Sequence, residues 1–338
     1  MKPFTYERAT SVADALRRSV AASGEGERAA YLAGGTNLID HLRLGIRETD
    51  RLIDVSHLDL TEVSELDGGG VRVGALARNS DVAAHPLVRA SFPLVSAAML
   101  AGASGQLRSM ATMGGNLLQR TRCVYFQDAS TPCNKREPGS GCSAIEGFGT
   151  YNALIGASPS CVAVHPSDLC VALAALDVTV VTEGPLGERR LDFADLHRLP
   201  GDRPEVDTTL ERGELITALE IHGPGFARHS RYRKLRERES YAFATVSVAA
   251  ALDVREGRVD DVRIGLGGVA HKPWRAHRAE DALRGGPATD EAYAAAVEAE
   301  LEQARPGEDN RYKVIQLRRV VPAVLRELAE HAPSGSRA

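Results

Sequence analysis

The sequence predicts an α+β protein, with two small α/β units followed by an antiparallel sheet that is backed by helices. Two observations support this fold class. A strand–Gly-Gly–helix pattern near Gly34 and a β-branched strand near residue 180 indicate α/β units in the first part of the chain. The last hundred or so residues have the order β-β-β-α-α-α with a hairpin signal, which is typical of α+β proteins and not of doubly wound sheets.

Length and composition exclude several functional classes. The 338 residues are enough for two or three domains, and 43% hydrophobic with 25% charged residues is ordinary for a water-soluble protein. A net charge of −4 gives no global electrostatic case for binding nucleic acid or a membrane surface. No apolar run approaches the ~20 residues that a bilayer span needs. The N-terminus lacks an apolar signal core, so we expect no secretory signal on this chain.

The first unit contains the first candidate ligand loop. Residues 10–22 predict an amphipathic helix capped by Ser11 and Asp14. A strand then runs into Gly34 and Gly35, and a helix follows over residues 36–44, before a buried strand at 51–56. Backbone N–H groups at such a loop favour a phosphate, whereas a plain tight turn is the alternative interpretation.

Later elements follow from the same kinds of signal. We expect a strand at 71–76, helices from about residue 80 and over 92–100, a helix that starts at Ser167, and strands at 177–183 and 214–221. Residues 223–228 are expected to form a linker. The last unit predicts strands at 232–235, 244–253 and 259–269, then helices at 277–284, 290–303 and 310–330.

All five cysteines lie between residues 110 and 177. Four of them are spaced C-x9-C-x8-C-x18-C on a loop without periodicity: Cys123, Cys133, Cys142 and Cys161. Such a long loop is usually functional or disordered, and thiolates that bind a metal would cross-link it. The spacing alone favours a metal or iron–sulfur site only modestly over unrelated thiols. The fifth, Cys170, lies on an apolar helix and is expected to be a buried free thiol.

Four motifs in a fixed order resemble one known family. They are YLAGGTNLI at 31–39, ATMGGN at 111–116, HPSDLCVALAALD at 165–177 and YRKLRERESYAFATVSVAA at 232–250. Together they resemble the FAD-binding middle subunit of the molybdenum hydroxylases, the xanthine dehydrogenase and aldehyde oxidoreductase family. The resemblance implies a two-subdomain FAD-binding domain of the PCMH type at residues 1–225, with subdomains at about 1–57 and 58–225. It also implies a cysteine loop at 120–162 and a C-terminal domain at 226–332 like that of CO dehydrogenase flavoproteins.

The resemblance also implies which residues contact FAD. The first pyrophosphate loop matches Tyr31, Leu32, Ala33, Gly34, Gly35, Thr36, Asn37 and Leu38. The second loop matches Thr112, Met113, Gly114, Gly115 and Asn116, and Gly102 falls at a flavin-facing position. Asp168 matches an aspartate on the ribose side of the cofactor, and Lys234 lies in the region that closes over the flavin. No residue is expected to act as a nucleophile or general base.

The cysteine loop resembles an insertion found in periplasmic-type aldehyde oxidoreductases and in 4-hydroxybenzoyl-CoA reductase. Their middle subunits carry an extra [4Fe-4S] cluster, so the resemblance implies Cys123, Cys133, Cys142 and Cys161 as its four ligands. Zinc is the alternative, because four thiolates also bind it.

The function implied is electron transfer within a heterotrimeric aldehyde oxidoreductase. A large molybdopterin-binding subunit and a small [2Fe-2S] subunit would supply electrons, and this chain would pass them from FAD to an external acceptor. The alternatives are a xanthine dehydrogenase or hydroxybenzoyl-CoA reductase-like complex, a self-contained flavoenzyme, or a zinc-clipped scaffold that binds no flavin. We expect a cytoplasmic location, or a periplasmic one reached by export with a signal-bearing partner.

Overall fold

The computed structural model of the protein describes residues 2–331 with the exception of Pro224. Its helices and three sheets confirm the predicted α+β class. Pro224, in the expected linker, and Ala332, the expected end of the C-terminal domain, lie outside the described residues. Within the described part of the chain, no helix is both long and apolar enough to cross a membrane.

The first unit is a parallel three-stranded sheet with two helices. Its elements are Thr5–Arg8 (β1), Val12–Gly24 (α1), Ala29–Leu32 (β2), Leu38–Leu44 (α2) and Arg51–Asp54 (β3). The strand order is β1-β3-β2. Helix α1 begins where predicted, since the Ser11 hydroxyl accepts the N–H of Asp14 at 3.0 Å. Helix α2 ends at Gly45, whose φ of +71° is the left-handed conformation that glycine adopts without strain.

The second unit is an antiparallel five-stranded sheet covered by short helices. Its elements are Val63–Leu66 (β4), Gly70–Gly74 (β5), Asn79–Ala84 (α3), Pro86–Ser91 (α4), Pro93–Ala101 (α5), Gly105–Arg108 (α6), Met113–Leu117 (α7), Val124–Gln127 (α8), Asp168–Ala174 (α9), Val178–Gly184 (β6), Gly187–Asp192 (β7), Phe193–Leu196 (α10) and Leu215–Ile221 (β8). The strand order is β4-β5-β8-β6-β7. Helices α5 and α9 pack on one another, and their apolar residues form the core with the inner face of the sheet.

The third unit is an antiparallel sheet backed by helices, as predicted. Its elements are Ser230–Leu235 (β9), Val246–Arg255 (β10), Arg258–Gly267 (β11), Trp274–Arg275 (β12), His277–Leu283 (α11), Asp290–Leu301 (α12) and Tyr312–Glu330 (α13). The strand order is β12-β11-β10-β9. Strand β10 is buried over seven successive residues because α13 covers one face and the second unit covers the other.

Helix α9 lies directly against the third unit. A Cβ built on Gly265 of β11 would lie 2.3 Å from the carbonyl oxygen of Val171 in α9. Only glycine therefore permits this approach of helix to strand. The contact fixes the third unit beside the start of α9, where Asp168 lies.

The cysteine loop is folded over the third unit and contacts it through polar groups. The N–H of Gly149 donates to Asp309 at 3.0 Å, and the Tyr312 hydroxyl donates to the carbonyl of Thr150 at 3.1 Å. Lys313 Nζ donates to the carbonyls of Asn152 at 3.0 Å and Gly268 at 2.8 Å. The loop therefore ties the first two units to the third.

Lys313 generates a prediction about pH and stability. Burial lowers the pKa of Lys313 to about 7 from the ordinary 10.5. Between these two pH values the unfolded chain binds the proton that the folded chain has lost, so stability rises with pH. We expect the free energy of unfolding to gain up to about 1.4 kcal/mol per pH unit from this group. Denaturant unfolding at pH 7 and pH 9 measures the effect.

Replacing Lys313 with Met is expected to remove that part of the pH dependence. Lys2→Met is the matched control, because the Lys2 side chain is 67% exposed. An unchanged pH dependence in Lys313→Met would contradict the assignment to this lysine.

Candidate functional site

A cavity of about 520 Å³ lies where the three units meet. This is within the usual size range of ligand sites, roughly 300–1,000 Å³. Each unit and the cysteine loop contribute to its wall. The residues that the sequence predicted for cofactor binding and that line the cavity are Thr36, Asn37, Gly102, Gly115, Asn116 and Asp168.

The two glycine loops lie in direct contact. A Cβ built on Gly34 would lie 2.0 Å from the carbonyl oxygen of Met110, just before the second loop. Arg78 and Thr112 form a backbone bridge, and the Thr112 hydroxyl caps α7 by accepting the N–H of Gly115 at 3.3 Å. The loops therefore form one continuous backbone surface, which suits an extended phosphate-bearing ligand.

The remaining predicted residues support the cavity from behind. The Tyr31 hydroxyl donates to the carbonyl of Gly213 at 2.6 Å, which directs that ring away from the cavity. Met113 is fully buried in the core, and a Cβ on Gly114 would lie 3.2 Å from Ala75. Predicted residues that do not line the cavity are Tyr31, Leu32, Ala33, Gly34, Gly35, Leu38, Thr112, Met113, Gly114 and Lys234.

Lys234 reaches the site through Asp168. Its Nζ donates to Asp168 Oδ2 at 2.8 Å and to the carbonyl of Ala101 at 3.2 Å. The Tyr232 hydroxyl donates to Asp168 Oδ1 at 2.5 Å, and burial together with this carboxylate raises the pKa of Tyr232 well above its usual value. A Cβ on Gly102 would lie 3.0 Å from the same carboxylate. The structure thus brings together three predicted residues from two units: Gly102, Asp168 and Lys234.

The cavity wall also contains buried polar atoms that lack a protein partner. Among the described residues of the wall, four buried side-chain atoms make no hydrogen bond, and Asn79 Oδ1 and Arg122 Nε are two of them. Buried polar atoms are nearly always hydrogen-bonded, so these two fit a polar ligand in the cavity. The sequence reasoning did not single out either residue. Arg122 was detectable in principle, because it directly precedes Cys123.

An aromatic segment of the third unit borders the cavity and was also missed. Tyr241 and Phe243 follow β9 in the motif at 232–250, and both are about half exposed. The guanidinium of Arg122 stacks over the Phe243 ring at 5.0 Å, and the Tyr151 hydroxyl donates to Glu237 at 2.7 Å. These contacts join the cysteine loop to the third unit across the cavity.

The four loop cysteines come together beside the first unit. The backbones of Cys133 and Cys142 form an isolated antiparallel β-bridge. Cys123 and Cys133 pack with Ile46 and Phe126. Burial raises the pKa of the Cys161 thiol to about 11, with smaller contributions from Cys142 and Cys123. Burial likewise raises the pKa of Cys123, and its neighbours Cys133 and Cys142 add to the shift. A bound metal would have to displace these protons.

The distances between the sulfurs bear on the kind of metal. Within the described residues, no three of these sulfurs lie within 4.8 Å of one another. A single tetrahedral zinc with Zn–S bonds of about 2.3 Å would hold its ligands about 3.8 Å apart. In a cubane cluster each sulfur binds a different iron, which places the ligands farther apart. The spacing of the bound ligands would therefore distinguish a cluster from one zinc ion.

Cys170 is the buried free thiol that the sequence predicted. Its sulfur lies within 4.8 Å of ring nitrogens of His165 and His197. The N–H of Ser167 donates to His165 Nδ1 at 3.4 Å, so His165 Nε2 carries the proton and is a donor. His197 Nε2 bonds the carbonyl of Leu117, which leaves its Nδ1 as an acceptor. His165 Nε2 and His197 Nδ1 are both buried and make no hydrogen bond, and the two rings meet edge to face with their centroids 4.6 Å apart.

Two family descriptions match nearly the whole chain. "FAD binding domain in molybdopterin dehydrogenase" matches residues 2–222, and "CO dehydrogenase flavoprotein C-terminal domain" matches residues 230–328. The chain belongs to the FAD-binding subunits of the molybdenum hydroxylase family. It is therefore an oxidoreductase subunit, as the sequence predicted. This family assignment favours a flavin-binding subunit over the scaffold that binds no flavin.

Individual relatives agree with the family. The chain is 45% identical to the aldehyde oxidoreductase FAD-binding subunit PaoB of Escherichia coli, over 98% of this chain and all of that one. It is 26% identical to the glyceraldehyde dehydrogenase medium chain of Sulfolobus acidocaldarius, over 91% of this chain and 90% of the other.

Solved structures show the same fold. The carbon monoxide dehydrogenase of Hydrogenophaga pseudoflava superposes with a TM-score of 0.75 at 25% identity, covering 98% of this chain and all of that one. Quinoline 2-oxidoreductase from Pseudomonas putida 86 has a TM-score of 0.74 at 22% identity, covering 98% and 99% of the two chains.

The contact between the glycine loops generates a prediction about FAD affinity. In Gly34→Ala the new Cβ meets the Met110 carbonyl, so the loops must separate. We expect FAD to bind at least tenfold more weakly, as measured by titration of the flavin-depleted subunit. Gly24→Ala is the control, since nothing lies within 4 Å of a Cβ there. Equal FAD affinities in the two variants would contradict the role of the contact.

Proposed function

We propose that this chain binds FAD in the cavity and a [4Fe-4S] cluster on its four loop cysteines, as the electron-transfer subunit of an aldehyde-oxidising complex. The observation that carries the proposal is the 45% identity to an aldehyde oxidoreductase FAD-binding subunit over 98% of the chain. The cavity supports it, because backbone from both glycine loops and a buried carboxylate converge there. The Escherichia coli xanthine dehydrogenase subunit is only 22% identical, which makes that alternative weaker.

The residues of the cavity fit the parts of FAD. Backbone N–H groups of the first loop at Thr36 and Asn37, which line the cavity, would bind the pyrophosphate, and the second loop borders it at Gly115. Asp168 keeps acceptor capacity after its bonds to Tyr232 and Lys234, because a carboxylate has about four acceptor positions. It would accept hydrogen bonds from ribose hydroxyls. Asn79 Oδ1 is a buried acceptor without a partner and would receive a donor of the cofactor.

The chain's own task is to hold its cofactors and exclude competing reactions. When bound, the flavin supplies both one-electron and two-electron chemistry, so such a subunit can accept electrons singly and release them in pairs. The protein contributes orientation and charge, and no side chain has to act as a nucleophile. Tyr241 and Phe243 at the border of the cavity would limit access of water and oxidants.

The proposed partners are a large molybdopterin-binding subunit and a small [2Fe-2S] subunit. Relatives that act on glyceraldehyde, carbon monoxide and nicotinate are FAD-binding or medium subunits, as this chain is. One kind of FAD subunit thus serves different reactions, which supports substrate choice in another subunit. The external acceptor and the compartment, cytoplasmic or periplasmic, stay predictions.

The cluster part of the proposal is tested by two matched cysteine variants. Cys133→Ala removes a proposed cluster ligand. Cys170→Ala removes a thiol that is also buried but is not one of the four proposed ligands. We expect the purified complex to lose about four iron and four sulfide in the first variant and none in the second.

Iron and sulfide analysis with electron paramagnetic resonance measures this loss. Equal iron contents in the two variants would contradict the cluster assignment but not the FAD-binding role. Zinc in place of iron in the unaltered complex would support a zinc site on the four cysteines.

A further inference from the structure

Lys135 is a buried cation inside the cysteine loop. It lies two residues after Cys133, and its side chain is 1% exposed. The N–H of Arg136 donates to the carbonyl of Cys133 at 2.9 Å, so the backbone turns tightly here. Lys135 Nζ donates to the carbonyl of Pro204 at 2.7 Å and to Asp207 Oδ1. Burying a charged lysine side chain costs free energy, and neither FAD binding nor ligation of a cluster requires one at this position.

The charge of Lys135 is not fully balanced by its neighbours. Asp207 is its carboxylate partner, but Arg120 Nε also donates to Asp207 at 2.6 Å. Two cations therefore share one anion, which leaves an excess of one positive charge. Glu205 does not correct this, since its carboxylate pairs with Arg203.

The histidines around this group leave the excess unchanged. His165, His197 and His271 line a small cavity of about 20 Å³ together with Lys135 and Asp207. Burial lowers the pKa of both His197 and His271 to about 4, and it lowers that of His165 well below its ordinary value. All three rings are therefore neutral at pH 7.

This positive charge lies close to the proposed cluster ligands. The side-chain amide of Asn134, the residue before Lys135, donates to the carbonyl of Ser160 at 3.1 Å, which holds this segment beside Cys161. Lys135 also lies two residues after Cys133, whose backbone forms a β-bridge with that of Cys142. In a buried site such a charge is weakly screened.

We propose that Lys135 raises the reduction potential of the [4Fe-4S] cluster, a role that rests on the cluster assignment proposed above. Reduction adds one electron, and hence one negative charge, to a cluster that is already anionic through its four thiolates. A fixed cation next to it stabilises the reduced form more than the oxidised form. Net charge and burial are among the factors that set cluster potentials. Lys135 is a positioning and tuning residue here, not a catalytic one.

The test is a redox titration of the intact complex, followed by electron paramagnetic resonance of the cluster. In Lys135→Met the excess charge disappears, and we expect the midpoint potential to fall. The ratio of reduced to oxidised cluster at a fixed potential should drop at least tenfold, which is about 59 mV for one electron. Lys135→Arg keeps the charge and should stay near the unaltered value.

Two further variants make the result specific. Asp207→Asn removes the shared anion and should shift the potential upward, so it tests the proposal even where Lys135→Met fails to fold. Lys2→Met removes a lysine that is 67% exposed and lies outside both proposed sites, and it should leave the cluster potential unchanged.

Unchanged cluster potentials in Lys135→Met and Asp207→Asn would overturn the inference, as would an equal shift in Lys2→Met. Iron and sulfide contents measured on the same samples separate the two levels of the account. A complex without cluster iron would contradict the proposed function. A complete cluster with an unchanged reduction potential would contradict only the role of Lys135.

Discussion

The fold depends on one buried ion pair, between Asp168 at the start of α9 and Lys234 on β9. Its side chains are only 9% and 3% exposed, and they belong to different units of the chain. Breaking such a pair by removing one partner typically costs 3–5 kcal/mol, because the other charge stays buried and unpaired. The pair joins the second unit to the third beside the cavity, and Tyr232 and Ala101 make further hydrogen bonds to its two side chains. The same carboxylate that joins the two units is therefore one that lines the cavity.

The cysteine loop makes a second connection between the units, and the two connections lie on either side of the cavity. Tyr312 and Lys313 of α13 bind loop carbonyls, and Arg122 stacks on Phe243. A metal centre on the loop would stabilise this connection, because four thiolate bonds would add to the small apolar cluster of Ile46, Phe126 and Cys133. Electron transfer and domain closure would then depend on the same segment. Buried cations occur at both places, Lys234 beside the cavity and Lys135 beside the cysteines, so charge placement is a shared feature of the two sites.

Much of the fold was predictable from local signals, whereas most of the site geometry was not. Ser11, Gly45 and Ser167 marked helix ends correctly, since caps act within a few residues. The strands that the sequence missed, β1, β4, β7 and β12, are short and at least partly exposed, so they lack a periodic apolar signal. Gly102, Asp168 and Lys234 were each identified by resemblance, but their mutual contact joins residues more than sixty positions apart. Asn79 gave no sequence signal and Arg122 only its position before Cys123, because an unpartnered buried atom is visible only in three dimensions.

The FAD dissociation constant of Lys234→Met tests the central claim most directly. The matched control is Lys272→Met, since Lys272 only donates to an exposed carbonyl, that of Ala194. If the Asp168–Lys234 pair closes the cavity, Lys234→Met binds FAD at least tenfold more weakly while the control keeps the original affinity. Thermal unfolding of the same samples shows that both chains are folded. An unchanged dissociation constant in a folded Lys234→Met chain would contradict the account, because the cavity would then close without its buried pair.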